Sequence, residues 1–235
     1  MKTAAMKVDY VDHMGDDLSI VNAARVSFDK KSALDFHPSG TVHSGKKFLG
    51  DKDIKLIDYL AKHNHWSPFA HNSIQLRIKA PIFVARQLVK HQVGGVWNEV
   101  SRRYVDSEPE FWFPEVWRGR PVNAKQGSTG VLDSKQPDMD IDIYTHDIVR
   151  KTVQLYSDLL TTGVAPEQAR MILPQNMMTE WIWTGSLMFF TRVCRERLAP
   201  GAQQETREVA EQIAEIVVPL FPVSWSALME KPHEA

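Results

Sequence analysis

The fold and the candidate site both depend on one stretch, RQLVKHQVGGVWNEVSRRY, which occupies residues 86–104. Its first half has helical spacing, which places Gln87, Lys90 and His91 on one face. We expect Gly94-Gly95 to end that helix in a turn with open backbone N–H groups. Cations and free amides bind anionic oxygens. The stretch therefore favours a phosphorylated, planar ligand, with a solvated helix face followed by a charged strand as the plainer alternative.

Length, charge and cysteine content exclude several classes of protein. The chain has 235 residues and a formal net charge of −1, so nothing indicates a polyanion-coating or membrane-surface protein. No stretch has the length and hydropathy of a signal peptide or a bilayer span, so we expect neither. Cys194 is the only cysteine, which excludes an intrachain disulfide and a cysteine-rich metal site. These features predict a cytoplasmic protein.

Hydrophobic periodicity in the first half predicts short elements. Residues 8–11 and 21–28 are expected to form short strand or helix pieces, and residues 35–50 a surface loop. Apolar residues recur at helical spacing over 54–61. Alternation over 74–78 predicts a half-buried strand, after which Pro81 suits the first turn of a helix.

The second half is predicted to be mainly helical, after a long loop over residues 118–140. Helices are expected over 141–162, 166–172, 176–197 and 202–220. The resulting fold class is α/β (α+β-like). We expect a single domain spanning 1–235, in which a small mixed sheet is flanked by several long helices.

Three sets of motifs, in chain order, carry a resemblance to a known family. In the middle of the chain stand Ser67-Pro68-Phe69-Ala70-His71, then Lys79 to Gln87, then Asn98-Glu99-x-Ser101-x-Arg103-Tyr104. This core resembles that of flavin-dependent thymidylate synthases. Gly15-Asp16-Asp17 and Ala23 to Phe28 resemble the family's N-terminal block. The C-terminal block is matched by Ala169 to Pro174, Thr179, Trp183-Thr184, Arg197 and Ala202-Gln203-x-Glu205.

The chain departs from the family signature at one motif. The family has an Arg-His-Arg triplet, then seven residues, then Ser, whereas this chain has Lys90-His91-Gln92 and eight residues before Ser101. Lysine keeps the first charge but not bidentate guanidinium contacts, and the third cation is lost. Such a divergent signature, together with long loops, would suit a viral source, in which case the location would be the host cytoplasm.

The resemblance implies a reaction and a set of partners. It implies reductive methylation of dUMP to dTMP, with methylenetetrahydrofolate as carbon donor and NADPH acting through FAD as reductant. It also implies a homotetramer with shared active sites, and neither nucleic acid nor membrane as a partner.

The resemblance also implies roles for particular residues. Arg197 would be catalytic, polarising the uracil and favouring ionisation at N3. His65 would line the folate and nicotinamide side of the site. dUMP would be contacted by Gln87, Lys90, Glu99, Val100, Ser101, Arg102, Arg103, Arg170 and Arg197. FAD would be contacted by Ser67, Lys90, His91, Gln92 and Glu99, and by Ser186, Met188 and Arg192, where the family usually has Asn, Arg and Asn.

Other interpretations remain open from the residues alone. The same scaffold would serve another pyrimidine nucleotide such as dCMP, a hydroxymethylation, or non-catalytic nucleotide binding. His63, His65 and His71 have the spacing of zinc ligands, but a loop-and-pocket role is favoured and we expect no metal. Cys194 is a nucleophile by chemistry and an inert core residue by its apolar neighbours. The aromatic residues at 111–113 and 117 favour packing over base stacking.

Overall fold

The computed structural model describes residues 1–36, 47–122 and 127–230. The strands are β1 (Lys2–Thr3), β2 (Lys7–Met14), β3 (Asp35–Phe36), β4 (Lys47–Phe48), β5 (Ser73–Pro81), β6 (Gly95–Glu99), β7 (Glu110–Phe111), β8 (Trp117–Gly119), β9 (Thr129–Leu132), β10 (Lys135–Gln136), β11 (Met139–Asp140) and β12 (Met178–Gly185). The helices are α1 (Asp17–Arg25), α2 (Asp51–Lys62), α3 (Ile82–Leu88), α4 (Ile141–Thr161), α5 (Pro166–Ala169), α6 (Leu187–Arg197), α7 (Gln204–Val217) and α8 (Pro222–Met229). Three 3₁₀ segments cover Val26–Phe28, Ser67–Ala70 and Arg170–Ile172.

The architecture is the mixed α/β arrangement that the sequence predicts. Four antiparallel strands form the main sheet in the order β2-β5-β12-β6. The predicted strand over 74–78 is the inner strand β5, whose Ile74, Leu76 and Ile78 are all buried. The helices carry most of the remaining core, with α2, α6, α7 and α8 contributing side chains to the cluster that covers this sheet.

Strand β12 corrects the predicted helix over 176–197. Residues 178–185 are extended and pair with β5 on one edge and β6 on the other, so only Leu187–Arg197 of that range is helical. Trp181 and Trp183 face the core, and Ile182 between them is half-buried. The run Thr-Glu-Trp-Ile-Trp-Thr is rich in β-branched and aromatic residues, which favour a strand, and this preference was outweighed in the prediction by the density of apolar residues.

The helix in the decisive stretch is shorter than predicted. α3 ends at Leu88, six residues before Gly94, because the chain turns at Val89 and Lys90 and must reach β6 at Gly95 to pair with β12. Lys90 and His91 therefore lie beyond the helix and do not share a helical face with Gln87. Pro81 caps α3 and does not occupy its first turn.

The two predicted loops have different outcomes. Most of the loop predicted over 35–50 lies outside the described residues, and its ends form the small pair β3–β4. Within 118–140 the described residues form two small hairpins, β8–β9 and β10–β11. Helices predicted over 141–162, 166–172 and 202–220 correspond to α4, to α5 with its 3₁₀ extension, and to α7.

A pair of glycines joins β6 and β12 to helix α6. Gly95 and Gly185 are cross-strand partners, and the ring of Phe189 lies against both of them. A Cβ at either glycine would overlap that ring. Phe189 is buried and packs edge-on against Trp183 and Phe190, so the ring has little room to move.

We predict that Gly185→Ala destabilises the fold. Overpacking of a filled core costs about 1–3 kcal/mol, and this change adds a methyl group against a buried ring. The free energy of unfolding, measured by urea denaturation, is expected to fall by that amount. Gly130→Ala is the matched control, because a Cβ there meets open space. Equal stability of the two variants would contradict the packing described here.

Candidate active site

A polar cavity lies where α3, the end of α6 and the start of α7 converge. It has a volume of about 480 Å³ and is lined by Gln87, Arg118, Gly127, Ser128, Arg197, Gly201, Ala202, Gln203 and Gln204. α3 supplies Gln87, the last residue of α6 supplies Arg197, and β8 supplies Arg118. Two guanidinium groups and three side-chain amides make this cavity suited to an anionic or carbonyl-rich ligand.

Arg197 is held in this cavity by His91. The Nε of Arg197 donates to Nε2 of His91 over 2.9 Å, so that ring nitrogen must carry a lone pair and the imidazole is neutral. The pKa of His91 is lowered from its ordinary value of 6.5, first by burial and then by the positive charges of Arg197 and Arg192, against an opposing effect of Glu196. The side chain of His91 is 11% exposed. The neutral imidazole thus orients the guanidinium by accepting a hydrogen bond from it and adds no positive charge beside it.

A second cavity, of about 470 Å³, is lined by much of the segment that follows β6. Its lining is Lys79, Ile82, Glu99, Val100, Arg102, Val105, Ser107, Glu108, Glu110, Arg170, Met171, Leu173, Met177, Met178, Thr179 and Glu180. Glu99 is fixed at both oxygens: the Thr179 hydroxyl donates to one over 2.6 Å and the Trp97 indole to the other over 3.2 Å. Arg170 stands on the 3₁₀ segment opposite, with its Nε directed to the Glu167 carbonyl.

The residues predicted to bind dUMP therefore fall into two groups. Gln87 and Arg197 line the first cavity, whereas Glu99, Val100, Arg102 and Arg170 line the second. Ser101 and Arg103 follow Val100 in a turn, where the Ser101 hydroxyl accepts from the Arg103 backbone N–H over 3.3 Å. The two cavities share no lining residue among those that the structure describes.

Comparisons with known proteins identify the family to which the chain belongs. The family model described as thymidylate synthase complementing protein matches residues 9–223. A flavin-dependent thymidylate synthase from Thermus thermophilus is 40% identical over 227 residues, which cover 95% of this chain and 75% of that protein. The Kosmotoga olearia flavin-dependent thymidylate synthase is 36% identical, with 93% of this chain and 88% of that protein covered. The chain belongs to the flavin-dependent thymidylate synthase family.

A solved structure with the same fold extends the comparison. The UMP/dUMP methylase PolB from Streptomyces cacaoi, bound with 5-Br dUMP, superposes with a TM-score of 0.81 and is 27% identical, covering 98% of each chain. The same protein bound with 5-Br UMP gives a TM-score of 0.77 at 27% identity, covering 97% of this chain and 95% of that one. The α/β fold class predicted from the sequence is confirmed.

The residues that the family resemblance assigns to FAD lie on several elements. Lys90, Gln92 and Arg192 are exposed, and the charge of Arg192 reaches His91. Ser67 is exposed at the start of its 3₁₀ segment. Ser186 caps α6 by accepting from the Phe189 N–H over 3.2 Å.

Met188, predicted to contact FAD, and His65, predicted to line the folate and nicotinamide side, lie in different surroundings. Met188 is half-buried against the main core. His65 is exposed beside Tyr59, with ring centroids 5.9 Å apart. The assignment of these two residues and of those above to cofactor or co-substrate stays a prediction.

The structure shows the surroundings of the alternative sites. Among the described residues, His63, His65 and His71 included, no cluster of three His, Cys, Asp or Glu side chains is placed to hold a metal ion. Cys194 is fully buried and burial raises its pKa far above the ordinary value, so its thiol stays protonated and unreactive. None of the described helices has the length and apolar character needed to cross a membrane.

The predicted aromatic cluster packs against protein. Phe111 is fully buried in a second core cluster with Val149 and Met177, and Phe113 stacks on His146 with centroids 3.8 Å apart. These contacts support the packing role that the sequence favoured over base stacking.

Sequence reasoning missed the partners of Gln87. Arg118 was placed in a loop, and Gln203 and Glu205 entered only as part of the family's C-terminal block. In the structure Gln203 hydrogen-bonds to Gln87, Arg118 lines the same cavity, and Glu205 bonds to both Gln203 and Arg118. The Ala202-Gln203-x-Glu205 motif was the one available signal for Glu205, because the sequence does not show that this acid is buried.

We predict that His91 makes the fold less stable in acid. Because its pKa is lowered in the folded chain, the unfolded chain binds the proton more readily. The contribution of His91 to stability is therefore full above pH 6.5 and is lost as the pH falls through 6.5 towards the folded pKa. Urea unfolding between pH 7.5 and 5.5 should show a smaller loss of stability for His91→Gln than for the wild type.

His71→Gln, at an exposed histidine, is the control for this experiment. It is expected to retain the wild-type loss. A proton titration by NMR that placed the pKa of His91 above 6.5 would contradict the assignment of a neutral ring.

Proposed function

We propose that the chain catalyses the reductive methylation of dUMP to dTMP as an FAD-dependent thymidylate synthase. The overall reaction takes dUMP, methylenetetrahydrofolate, NADPH and a proton to dTMP, tetrahydrofolate and NADP⁺. The observation that carries the proposal is the Arg197 guanidinium, oriented by neutral His91 in a polar cavity shared with Gln87. The family and the dUMP-analogue complex of the structural neighbour support the choice of nucleotide.

Arg197 performs the electrostatic part of this chemistry. A uracil ring reacts at C5 more readily as electron density builds up on its carbonyl oxygens, which follows loss of the N3 proton. A guanidinium has donors and no acceptor, so it stabilises that anionic ring and cannot take the proton itself. Donors fixed before the reaction need no reorganisation as charge develops, which is how such groups lower a barrier. His91 supplies that fixation.

The donor set near His91 fits an anionic, polyoxygenated cofactor such as FAD. Lys90 and Arg192 supply positive charge and Gln92 supplies an amide, and all three are exposed and available to a ligand. Ser186 and Met188 fit less well, since one hydroxyl caps a helix and the other side chain packs on the core. We assign the cofactor phosphates to the cationic group. Bound flavin would supply the reducing equivalents, and NADPH would reduce the oxidised flavin again.

The two cavities support a site shared between chains. Each holds part of the dUMP residue set, and neither holds both Arg197 and Arg170. We propose that the cavity with Gln87 and Arg197 on one chain meets the cavity with Glu99 and Arg170 on a second chain, within a homotetramer.

The proposal also covers the domain organisation of the chain and its location in the cell. We propose that residues 1–235 act as a single domain, because the main core draws on side chains from Val8 to Leu228. A cytoplasmic location is proposed on the single, buried cysteine.

We predict that Arg197→Ala lowers turnover by roughly 10²–10³, the loss typical of removing one preorganised donor. Purified protein should be yellow. The assay follows NADPH oxidation by the wild type and by the variant in the presence of dUMP and methylenetetrahydrofolate, and it also measures the mass of the product. UMP and dCMP serve as competing substrates in the same assay.

Arg150→Ala, on the exposed side of α4, is the matched control and should retain wild-type turnover. Colourless protein that gains no flavin on reconstitution would contradict the proposed cofactor. An Arg197→Ala variant with unchanged kcat would contradict the proposed catalytic role.

We predict that two impaired variants restore each other when mixed. Gln87→Ala damages the first cavity and Arg170→Ala the second, so co-expression of the two chains creates some sites with both halves intact. Random pairing of shared sites gives roughly a quarter of wild-type activity. Activity of the co-expressed oligomer, isolated through two different tags, measures this recovery. If each site lies within one chain, the mixed oligomer gains no activity over its parents.

A further inference from the structure

A chain of hydrogen bonds leads from a buried carboxylate to the amide of Gln87. Glu205 is 4% exposed, and its Oε2 accepts from Nε2 of Gln203 over 2.8 Å. Oε1 of Gln203 accepts from Nε2 of Gln87 in a short contact. Oε1 of Gln87 accepts from the hydroxyl of Thr206, which is fully buried, over 3.2 Å. Gln203 and Glu205 lie at the start of α7, and the two bonds made by Gln87 join α3 to it.

The carboxylate sets the direction of this chain. An ionised carboxylate only accepts hydrogen bonds, so Gln203 must present its NH₂ group to Glu205 and its carbonyl oxygen to Gln87. Gln87 must then present its own NH₂ group to Gln203 and its carbonyl to Thr206. An amide NH₂ has two N–H groups, so one remains for a ligand in the cavity that Gln87 lines.

Arg118 forms an ion pair with that buried carboxylate. Its guanidinium donates to Oε1 of Glu205 over 2.5 Å and, through Nε, to the Ser128 hydroxyl over 2.9 Å. A buried acid without such a partner would lose its charge or destabilise the fold. The two oxygens of Glu205 thus have different partners: Oε1 binds the Arg118 guanidinium, and Oε2 orients the amide of Gln203.

We propose that Glu205 is a positioning residue for the nucleotide: through Gln203 it fixes the amide of Gln87 so that an N–H donor faces the cavity. This role rests on the proposed function. A donor at this point matches every oxygen of dUMP, whether phosphate or carbonyl, whereas a flipped amide would present a carbonyl and repel them. Glu205 does not itself line the cavity of Gln87 and Arg197.

The test is the isosteric change Glu205→Gln, which keeps the shape and removes the directional constraint. With an amide at 205, Gln203 and Gln87 are free to flip together, so part of the population loses its donor. dUMP binding to the holoenzyme, measured by calorimetry, should weaken about fivefold to tenfold, the range for one net hydrogen bond. Flavin content and the rate of NADPH oxidation without dUMP should stay at the wild-type level.

A double-mutant cycle separates positioning from a general structural effect. In a Gln87→Met background no amide remains to be oriented, so adding Glu205→Gln should change dUMP affinity by less than about twofold. Glu215→Gln, at an exposed acid further along α7, is the control and should bind like the wild type. Urea denaturation of each variant accounts for any loss of fold.

The outcomes are distinct. A loss in Glu205→Gln that disappears in the Gln87→Met background supports the role. A loss of the same size in both backgrounds overturns it, because Glu205 would then act through Arg118 or the fold. Unchanged binding in Glu205→Gln overturns it as well, with the proposed function intact. Absence of dUMP binding to the wild-type chain overturns the proposed function together with this role.

Discussion

Strand β12 lies between β5 and β6, and both halves of the candidate site depend on that pairing. Its pairing with β6 sets Glu99 beside Thr179, which fixes the carboxylate in the second cavity. Its last residue, Gly185, is followed directly by the Ser186 cap of α6, the helix that ends at Arg197. A slip of one residue in a strand exchanges its two faces. In β12 that slip would expose two core tryptophans and displace both ends of the site.

The close approach of α6 to the sheet is the second constraint. Phe189 lies over Gly95 and Gly185, where any side chain would displace it. Because the helix is packed this tightly at its start, the position of its last turn is determined too, and Arg197 reaches His91 across 106 residues of sequence. The glycines contribute no functional group, yet they determine where the Arg197 guanidinium lies.

Local pattern was enough to predict β5, α2, α4 and α7, because each has one buried face with a regular period. It failed at β12, where residues on both faces of the strand are buried or half-buried and alternation is weak. It failed again at α3, whose end is determined by the pairing of a strand seven residues away. Both errors concern long-range pairing, which a window of neighbouring residues does not contain.

In the candidate site, too, residues within local motifs were predicted and long-range contacts were not. Gln87, Glu99, Arg170 and Arg197 were found by motif, and the structure places them in two cavities. The Arg118–Glu205–Gln203 chain was not predicted, since its members are brought together by the β8–β9 hairpin and the start of α7. Hydrogen bonds between side chains leave little trace in a single sequence unless a motif already includes them.

The altered triplet is best understood through the charges around His91. Relative to the family pattern, cations are absent at Gln92 and Met188, and one is present at Arg192 where the family usually has Asn. The charge of Arg192 reaches His91 and helps keep its ring neutral. One of the two lost cations is therefore replaced by Arg192 on α6, a helix whose position is set by the packing of Phe189. The neutral ring that orients Arg197 is thus preserved even though the motif that contains it has changed.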